Sequence, residues 1–157
     1  MPKTLVVFYS RSGNTKFVAE QIARKFEAEL EEILEKKGRQ GMIGYILAGR
    51  DATLNRKSEV HDFKKNPAEF DLIFIGTPVW AYNVTPAIRS YLTQYNLEGK
   101  RVVLFATQDG SGAEKVFNAT RRLIPKAEII SEKYFNKVLK NQDKVSAEIT
   151  VWLEGLH

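Results

Sequence analysis

Residues 3–15 read KTLVVFYSRSGNT, and this stretch decides the fold. Its first part, Lys3–Tyr9, is an almost continuous run of apolar, β-branched and aromatic residues, which is typical of a strand covered on both faces. From Thr15 to Phe26 the apolar residues fall three to four positions apart with polar residues between them, as in an amphipathic helix. The stretch therefore predicts a buried strand, a short polar loop and a helix.

The same alternation continues along the chain. Further strands are predicted at Glu29–Leu34, Asp71–Ile75, Arg101–Ala106 and Ala127–Ile130. Further helices are predicted at Met42–Leu54, at Pro86–Leu92, at Ser111–Leu123 before Pro125, and around Val145, Ile149, Trp152 and Leu153. Because right-handed crossovers place helices on both faces of a parallel sheet, this order predicts a three-layer, doubly wound α/β fold with about five parallel strands. Ligands of such sheets bind beyond the carboxyl ends of the strands, so we expect a site at the loops after Tyr9, Ile75 and Ala106.

The composition limits the classes of protein and of chemistry. With 157 residues, 43% of them hydrophobic, the chain is long enough for one core and short for two, so we expect a single domain over residues 1–157. No apolar run is long enough to span a membrane, and no small-residue cleavage site follows the Met-Pro-Lys start, so we expect a cytoplasmic protein. Because the chain has no cysteine, redox chemistry requires a bound cofactor.

The chain has a net positive charge, and its basic residues are dispersed along the sequence. The net charge is +5, and the basic residues are scattered among acidic ones rather than gathered in one block. A mixed, solvated surface is the simplest interpretation, so we expect neither nucleic acid nor a membrane as a partner. His61 and His157 lie outside the three loops and are expected at the surface.

The first loop contains residue types that bind phosphate. It consists of Ser10, Arg11, Ser12, Gly13, Asn14 and Thr15. Free N–H groups and the positive dipole end at a helix start attract an anion, glycine lets the backbone approach it, and hydroxyl and amide side chains donate hydrogen bonds. An ordinary capped turn is the alternative, because serine, threonine and asparagine also cap helices. The side chain of Arg11 either adds charge to the phosphate site or faces solvent.

Four segments resemble the flavodoxin family. YSRSGNT at residues 9–15 looks like the family's phosphate loop, GTPVWAYNVTPAIRSYL at Gly76–Leu92 resembles its second flavin loop with the following helix, and FATQDGSGAEKVF at Phe105–Phe117 resembles its third. With GYILAGRDA at residues 44–52, the similarity extends over nearly the whole chain. The resemblance implies a flavodoxin-like sheet with strand order 2-1-3-4-5 and a flavin mononucleotide (FMN) cofactor.

The second loop offers aromatic side chains to a flavin ring. Its residues are Pro78, Val79, Trp80, Ala81, Tyr82 and Asn83. A large aromatic side chain at the edge of a sheet is costly to expose unless a flat group covers it, and an isoalloxazine ring is such a group. By the resemblance, Trp80 or Tyr82 stacks on the ring while backbone groups of the loop bond to its edge. Alternatively, Trp80 only fills space between the loop and the core.

The third loop is expected beside the pyrimidine part of the flavin. The resemblance assigns this role to Thr107, Gln108, Asp109, Gly110 and Gly112. The glycines let backbone N–H groups come close to a ligand. Asp109 either faces the ring, where it would repel an anionic reduced flavin, or caps the helix that begins near Gly112. Many flavodoxins carry an aromatic residue in this loop, and this chain has none there.

The resemblance implies an electron carrier, in which FMN cycles between oxidised, semiquinone and hydroquinone states and no side chain is catalytic. An alternative is an FMN-dependent enzyme that reduces quinones or related acceptors with NAD(P)H. The chain has no second glycine-rich motif for a tightly held dinucleotide, which favours the carrier but allows transient binding of a donor. A cofactor-free signalling module of this architecture would need acidic residues after the first strand, where this chain has Phe8, Tyr9 and Ser10.

The basic charge also bears on the partners. The resemblance leads us to expect an acidic protein, whereas this chain has a net charge of +5. Redox partner proteins with acidic docking patches would complement it. Positive charge near the flavin would also make the potential of its second reduction less negative. A monomer is favoured.

Overall fold

The computed structural model describes residues 2–36, 57 and 59–156. Five strands lie in these ranges: β1 (Thr4–Phe8), β2 (Glu29–Glu32), β3 (Leu72–Pro78), β4 (Arg101–Gln108) and β5 (Glu128–Asn136). The same ranges contain four α-helices: α1 (Asn14–Phe26), α2 (Pro86–Gln94), α3 (Ala113–Leu123) and α4 (Gln142–Glu154). Short 3-10 helices at Pro67–Glu69 and Val138–Lys140 precede β3 and α4. The helix predicted at Met42–Leu54, the segment at 44–52 and His157 lie outside the described residues.

The strands form one parallel sheet in the order β2-β1-β3-β4-β5. This confirms the predicted α/β fold class and the strand order 2-1-3-4-5. Val6 of β1 pairs with Phe74 of β3, which pairs in turn with Val103 of β4. The strand order reverses at β1, since β2 lies on one side of it and β3 on the other. The chain leaves β1 and β3 toward opposite faces there, which opens a crevice at the carboxyl edge.

The central strands bury their side chains in two cores. In β1, Leu5 and Val7 point to the core beneath α2 and α3, whereas Val6 and Phe8 point to the core beneath α1 and α4. Both faces are apolar because both are covered by helices, which is why the strand reads as a continuous apolar run rather than an alternating one. The predicted three layers are therefore present, and the ends of β1, β3 and β4 provide a rigid frame for the loops that follow them.

Most element boundaries differ from the predicted ones by one to three residues, but β5 differs by more. Its prediction ended at Ile130, whereas the strand continues to Asn136. The added residues are largely polar, which an edge strand tolerates because only one of its sides is paired. Within this part, the Ser131 hydroxyl accepts a hydrogen bond from Trp152 Nε1 at 3.0 Å. Trp152 packs against Phe135 in the core, as predicted.

Two smaller observations concern the surface. Among the described residues, none of the helices has the length and apolar character needed to cross a bilayer. His61 is exposed, as expected, and its backbone N–H donates to the carbonyl of Leu34 at 2.8 Å.

Candidate functional site

A cavity of about 790 Å³ lies at the carboxyl ends of β1, β3 and β4. All three loops expected from the sequence line it. The lining residues are Arg11, Ser12 and Asn14 from the first loop, Pro78, Val79, Trp80, Ala81 and Tyr82 from the second, and Thr107, Gln108, Asp109, Gly110 and Ser111 from the third. Of these, Ser111 was not among the predicted site residues. The volume lies in the range of pockets that hold small molecules and cofactors.

Some of the predicted site residues support the loops instead of lining the cavity. They are Ser10, Gly13, Thr15, Asn83 and Gly112. Each of them makes a hydrogen bond, a turn or a close contact that shapes one of the loops. The three predicted loops meet at one cavity, and their members divide into lining residues and supporting ones.

The first loop folds around the hydroxyl group of Ser10. Its Oγ accepts hydrogen bonds from the backbone N–H groups of Gly13 at 3.2 Å and Lys16 at 3.1 Å. Gly13 has a φ of 99°, in the left-handed region that favours glycine, and α1 begins at the next residue. Ser10 therefore joins the loop to the first turn of α1, and the loop presents Ser12 and the half-buried Arg11 to the cavity.

Thr15 connects the first loop to the third. It is 1% exposed, and its Oγ1 lies 2.8 Å from Oγ1 of Thr107, which is 3% exposed. A hydroxyl group donates one hydrogen bond and accepts two, so this contact uses the hydrogen of one threonine and leaves the other hydrogen for a further acceptor. When Thr107 donates to Thr15, the hydrogen of Thr15 is available to an anion at the start of α1.

The second loop is a tight turn with two residues in the left-handed region. The φ values are 49° at Ala81 and 58° at Tyr82, and the N–H of Asn83 donates to the carbonyl of Trp80 at 2.9 Å. Two consecutive positive φ values are typical of a type I′ turn, and they cost about 1–2 kcal/mol per non-glycine residue. Asn83 Oδ1 accepts from the guanidinium of Arg89 at 3.2 Å, which ties the turn to α2. Burial lowers the pKa of this guanidinium below its ordinary value.

Trp80 belongs to both the core and the cavity. It is half-buried, packs against the core beneath α2 and α3, and meets the ring of Tyr9 edge-on with the ring centroids 5.4 Å apart. The buried Tyr9 donates its hydroxyl hydrogen to Glu35 Oε1. Trp80 also lines the cavity. Its side chain therefore fills space against the core and also lines the cavity, so stacking on a flavin ring stays a prediction.

Tyr82 joins the second loop to the third. A Cβ atom at Gly112 would lie 2.3 Å from Tyr82 Cδ1, so only glycine permits this contact, and Gly112 has a left-handed φ of 111°. Lys115 Nζ, in the first turn of α3, lies 5.3 Å from the centroid of the tyrosine ring, within the range of a cation–π interaction. Tyr82 is nevertheless 56% exposed, so its ring forms part of the rim of the cavity.

Gln108, rather than Asp109, accepts from the first N–H group of α3. Its Oε1 accepts from the N–H of Ala113 at 3.0 Å, and its Nε2 donates to Asn136 Oδ1 at 3.0 Å. The backbone carbonyl of Gln108 accepts from the N–H of Lys137 at 2.9 Å. Asp109 is exposed and lines the cavity. The N–H of Ala113 is thus bonded by Gln108, and Asp109 lies on the cavity wall, where a position facing the ring stays a prediction.

Residues 137–139 do not line the cavity, but they contact two of the loops that form it. The N–H of Leu139 donates to Asn14 Oδ1 at 3.0 Å, and Leu139 Cδ1 lies 3.4 Å from the position of a Cβ atom at Gly13. Lys137 contacts the third loop through Gln108. Sequence reasoning missed this segment because 125 positions separate Asn14 from Leu139, and no local pattern marks such a contact.

The residues of the cavity fit the chemistry of FMN. A phosphate monoester requires hydrogen-bond donors, and the start of α1 combines N–H groups that lack partners within the helix with the side chains of Ser12 and Asn14, which line the cavity. A flat ring requires aromatic walls, which Trp80 and Tyr82 provide. The cavity therefore combines donors for an anion with walls for a ring.

Comparison with known proteins agrees with this geometry. A family model described as Flavodoxin matches residues 3–156. A flavoprotein from Lactobacillus acidophilus NCFM, solved in complex with FMN, is 24% identical with a TM-score of 0.75, covering 89% of this chain and 97% of that one. A protein from Bacteroides eggerthii DSM 20697 is 21% identical with a TM-score of 0.77, covering 98% and 97%. Oxidised flavodoxin 2 from Bacillus cereus is 16% identical with a TM-score of 0.60, covering 98% and 99%.

These comparisons differ in what they establish. The comparison with curated proteins gave no match. At identities below 25%, the similarity to the solved structures shows the fold. The family model goes further because it matches the sequence over nearly its full length, including all three loops of the cavity. The chain belongs to the flavodoxin family.

Proposed function

We propose that the protein binds FMN in the cavity at the carboxyl edge of the sheet and carries electrons between partner proteins. The observation that carries this proposal is the convergence of three loops on one cavity, with donors for a phosphate on the first loop and aromatic side chains on the second. The Lactobacillus acidophilus relative of the same fold was solved with FMN. When bound, FMN supplies the redox chemistry, and the protein supplies binding and electrostatics.

The first loop is assigned to the phosphate group. N–H groups at the start of α1 and its dipole attract the anion, and Ser12 and Asn14 lie at the cavity to donate hydrogen bonds. Thr15 donates the hydrogen that its contact with Thr107 leaves available. Arg11 lines the cavity and adds positive charge. Ser10 and Gly13 hold the loop in shape.

The second and third loops are assigned to the ring. Trp80 and Tyr82 cover its faces, and backbone groups of both loops bond to its polar edge. Asp109 on the cavity wall opposes added negative charge on the ring, whereas Lys115 beside Tyr82 favours it. The balance of these charges sets how readily the bound cofactor accepts a second electron.

The electron carrier is favoured over the other functions considered. An FMN-dependent NAD(P)H:quinone oxidoreductase needs a place for its donor, and the sequence has no second glycine-rich dinucleotide motif. A phospho-acceptor signalling module needs carboxylates at the end of β1. Phe8 and Tyr9 occupy that position, and they are 1% and 6% exposed.

An anaerobic reductive titration of the FMN-loaded protein, followed by visible spectroscopy, tests this choice. For a carrier we expect two resolved one-electron steps, and no oxidation of NADH or NADPH when a quinone is added. A single two-electron step together with rapid, quinone-dependent oxidation of the nicotinamide would identify the oxidoreductase and contradict the carrier.

Three further expectations belong to this proposal. They are a single domain over residues 1–157, a monomer and a cytoplasmic location. Sedimentation equilibrium of the loaded protein checks the monomer, for which the chain mass is 17.9 kDa. A mass twice as large would contradict it.

A further inference from the structure

An exposed basic segment borders the mouth of the cavity. Residues 137–140 read KVLK, and we call the side chains of Lys137, Leu139 and Lys140 the lysine ridge. All three are exposed, and Leu139 is 41% exposed although it is apolar. Val138 between them is fully buried and anchors the segment in the core beneath α1 and α4. The ridge is therefore a fixed feature of the surface.

The lysine ridge lies between two of the loops that form the site. On one side, the Leu139 N–H donates to Asn14 of the first loop at 3.0 Å. On the other side, the Lys137 N–H donates to the carbonyl of Gln108 in the third loop at 2.9 Å. A macromolecule that approaches this part of the cavity mouth must therefore approach the ridge.

Within the described part of the chain, no acidic side chain pairs with the lysines of the ridge. Among the described residues, neither Lys137 nor Lys140 forms an ion pair, whereas Lys16 pairs with Glu32 at 3.7 Å and Lys126 pairs with Glu98 at 3.8 Å. Lys115 adds a cation on the side of the mouth formed by Tyr82. Unpaired cations beside an exposed apolar side chain are the components of an interface with an apolar centre and a charged rim.

We propose that the lysine ridge is the docking surface for an acidic redox-partner protein. The inference rests on the proposed function, because the ridge matters for electron transfer only if the cavity beside it holds the cofactor. Charge complementarity identifies the partner: its acidic patch would meet Lys137 and Lys140, and the net charge of +5 would steer its approach. Nucleic acid is disfavoured because acidic residues are interspersed over the rest of the surface.

The test compares two variants that have the same change in net charge. The first is K137E/K140E. The matched control is K25E/K126E, since Lys25 lies in the last turn of α1 and Lys126 precedes β5, so both are exposed at the opposite edge of the sheet. The ion pair of Lys126 with Glu98 is exposed, so its loss should cost less than about 1 kcal/mol. The probes are an acidic and a basic c-type cytochrome. Their reduction by the FMN-loaded, photoreduced protein is followed by stopped-flow spectroscopy at several NaCl concentrations.

We expect the wild type to reduce the acidic cytochrome faster than the basic one, with a rate that falls as salt is added. K137E/K140E should lower the low-salt rate with the acidic cytochrome by about 10- to 100-fold, within the range of electrostatic steering. The control should lower it by less than about threefold. Equal losses of rate in both variants would show an effect of net charge alone and overturn the docking proposal. An unchanged rate in K137E/K140E would overturn it as well.

A second readout does not depend on the cofactor. Carbodiimide links lysine amines to the carboxylates they contact, and mass spectrometry locates the links. With the acidic cytochrome we expect links at Lys137 and Lys140, with and without FMN. Links at Lys25 and Lys126 instead would overturn the proposal. Should the protein fail to bind FMN, the proposed function falls, and the cross-links still decide whether the ridge docks an acidic protein.

Two other functions of the lysines have their own outcomes. If Lys137 and Lys140 bind the phosphate of FMN, K137E/K140E will weaken FMN binding while riboflavin binding stays unchanged. That result overturns the docking proposal. If the two lysines bind nucleic acid, a fluorescent DNA duplex will bind more tightly than the acidic cytochrome and compete with it, which overturns the proposal too. Unchanged FMN binding and no competition by the duplex support it.

Discussion

The hydroxyl oxygens of Thr15 and Thr107 lie 2.8 Å apart in a buried position that joins the start of α1 to the end of β4. The first and third loops of the cavity are thereby connected through the protein itself. A site whose loops are held in place before the ligand arrives loses less entropy on binding. This contact therefore links the stability of the fold to the affinity of the site.

Thr107→Val tests this connection. The change leaves the hydroxyl of Thr15 buried without this partner, which should lower the free energy of unfolding of the apo-protein by about 1–3 kcal/mol, measured by urea denaturation. In the double variant T15V/T107V both hydroxyls are replaced by groups of similar shape, so much of the stability should return. FMN affinity should be lower in the double variant than in the wild type, because the phosphate has lost the Thr15 donor. If the stability losses of the single variants T15V and T107V simply add up in the double variant, the contact is contradicted.

Gly112→Ala should destabilise the protein strongly. The new Cβ would lie 2.3 Å from Tyr82 Cδ1, and the left-handed φ of 111° alone costs an alanine about 1–2 kcal/mol. The matched control is Gly110→Ala in the same loop, where a Cβ would meet no atom within 4 Å. Urea denaturation of the two apo-variants compares them, and we expect the control to change stability by less than about 1 kcal/mol. Equal stability of the two variants would show that Tyr82 does not pack on Gly112.

Riboflavin lacks the phosphate of FMN, so comparing the two ligands distinguishes residues that bind the phosphate from residues that bind the ring. Ser12→Ala should raise the dissociation constant of FMN by about 10- to 150-fold, because a hydrogen bond to a charged group contributes about 1.5–3 kcal/mol, and leave that of riboflavin unchanged. Trp80→Phe keeps an aromatic ring but loses contact area, so it should weaken both ligands by the same factor. Fluorescence titrations measure both constants. Weaker riboflavin binding to the serine variant would contradict the assignment of the first loop to the phosphate.

Tyr91 makes the stability of the fold depend on pH in the alkaline range. Burial raises the pKa of this side chain well above its ordinary value, with contributions from Glu31 and Tyr95. Because the unfolded chain loses this proton first, at about pH 10, the stability contributed by Tyr91 is complete below pH 10 and is lost as pH rises toward the higher pKa of the folded state. Tyr91→Phe should remove this contribution to the slope of the free energy of unfolding against pH. The slope is measured by urea denaturation between pH 8 and about pH 11.

The same substitution has an expected effect at neutral pH. Among the described residues, the fully buried hydroxyl of Tyr91 has no hydrogen-bond partner. Removing an unsatisfied buried group avoids a desolvation cost of about 1–3 kcal/mol, so Tyr91→Phe should leave stability unchanged or increase it. A clear loss of stability at pH 7 would contradict the description of this hydroxyl.

The central part of the fold could be predicted because burial on both faces leaves a direct signal in the sequence. Lys3–Tyr9, Asp71–Ile75 and Arg101–Ala106 are apolar runs, and each corresponds to a strand of the sheet. Residues 131–136 of β5 give no such signal. It is an edge strand, so residues such as Glu132 and Lys133 remain accessible and polar.

The site was predictable as segments and not as individual contacts. The end of a parallel strand fixes where a loop begins, which is why all three loops reach one cavity. Which side chains of a loop face a ligand depends on turns and on contacts with distant residues. Ser10 turns inward to cap α1, and Gly112 lies beneath Tyr82. The contact between Asn14 and Leu139 spans 125 positions and follows only from the packed structure.

Titration of the apo-protein with FMN tests the central claim most directly. If the N–H groups at the start of α1 and the aromatic walls form one site, flavin fluorescence will be quenched in a single saturable phase with a dissociation constant in the micromolar range or below, and riboflavin will bind more weakly. Absence of quenching, or equal affinity for FMN and riboflavin, would contradict the account.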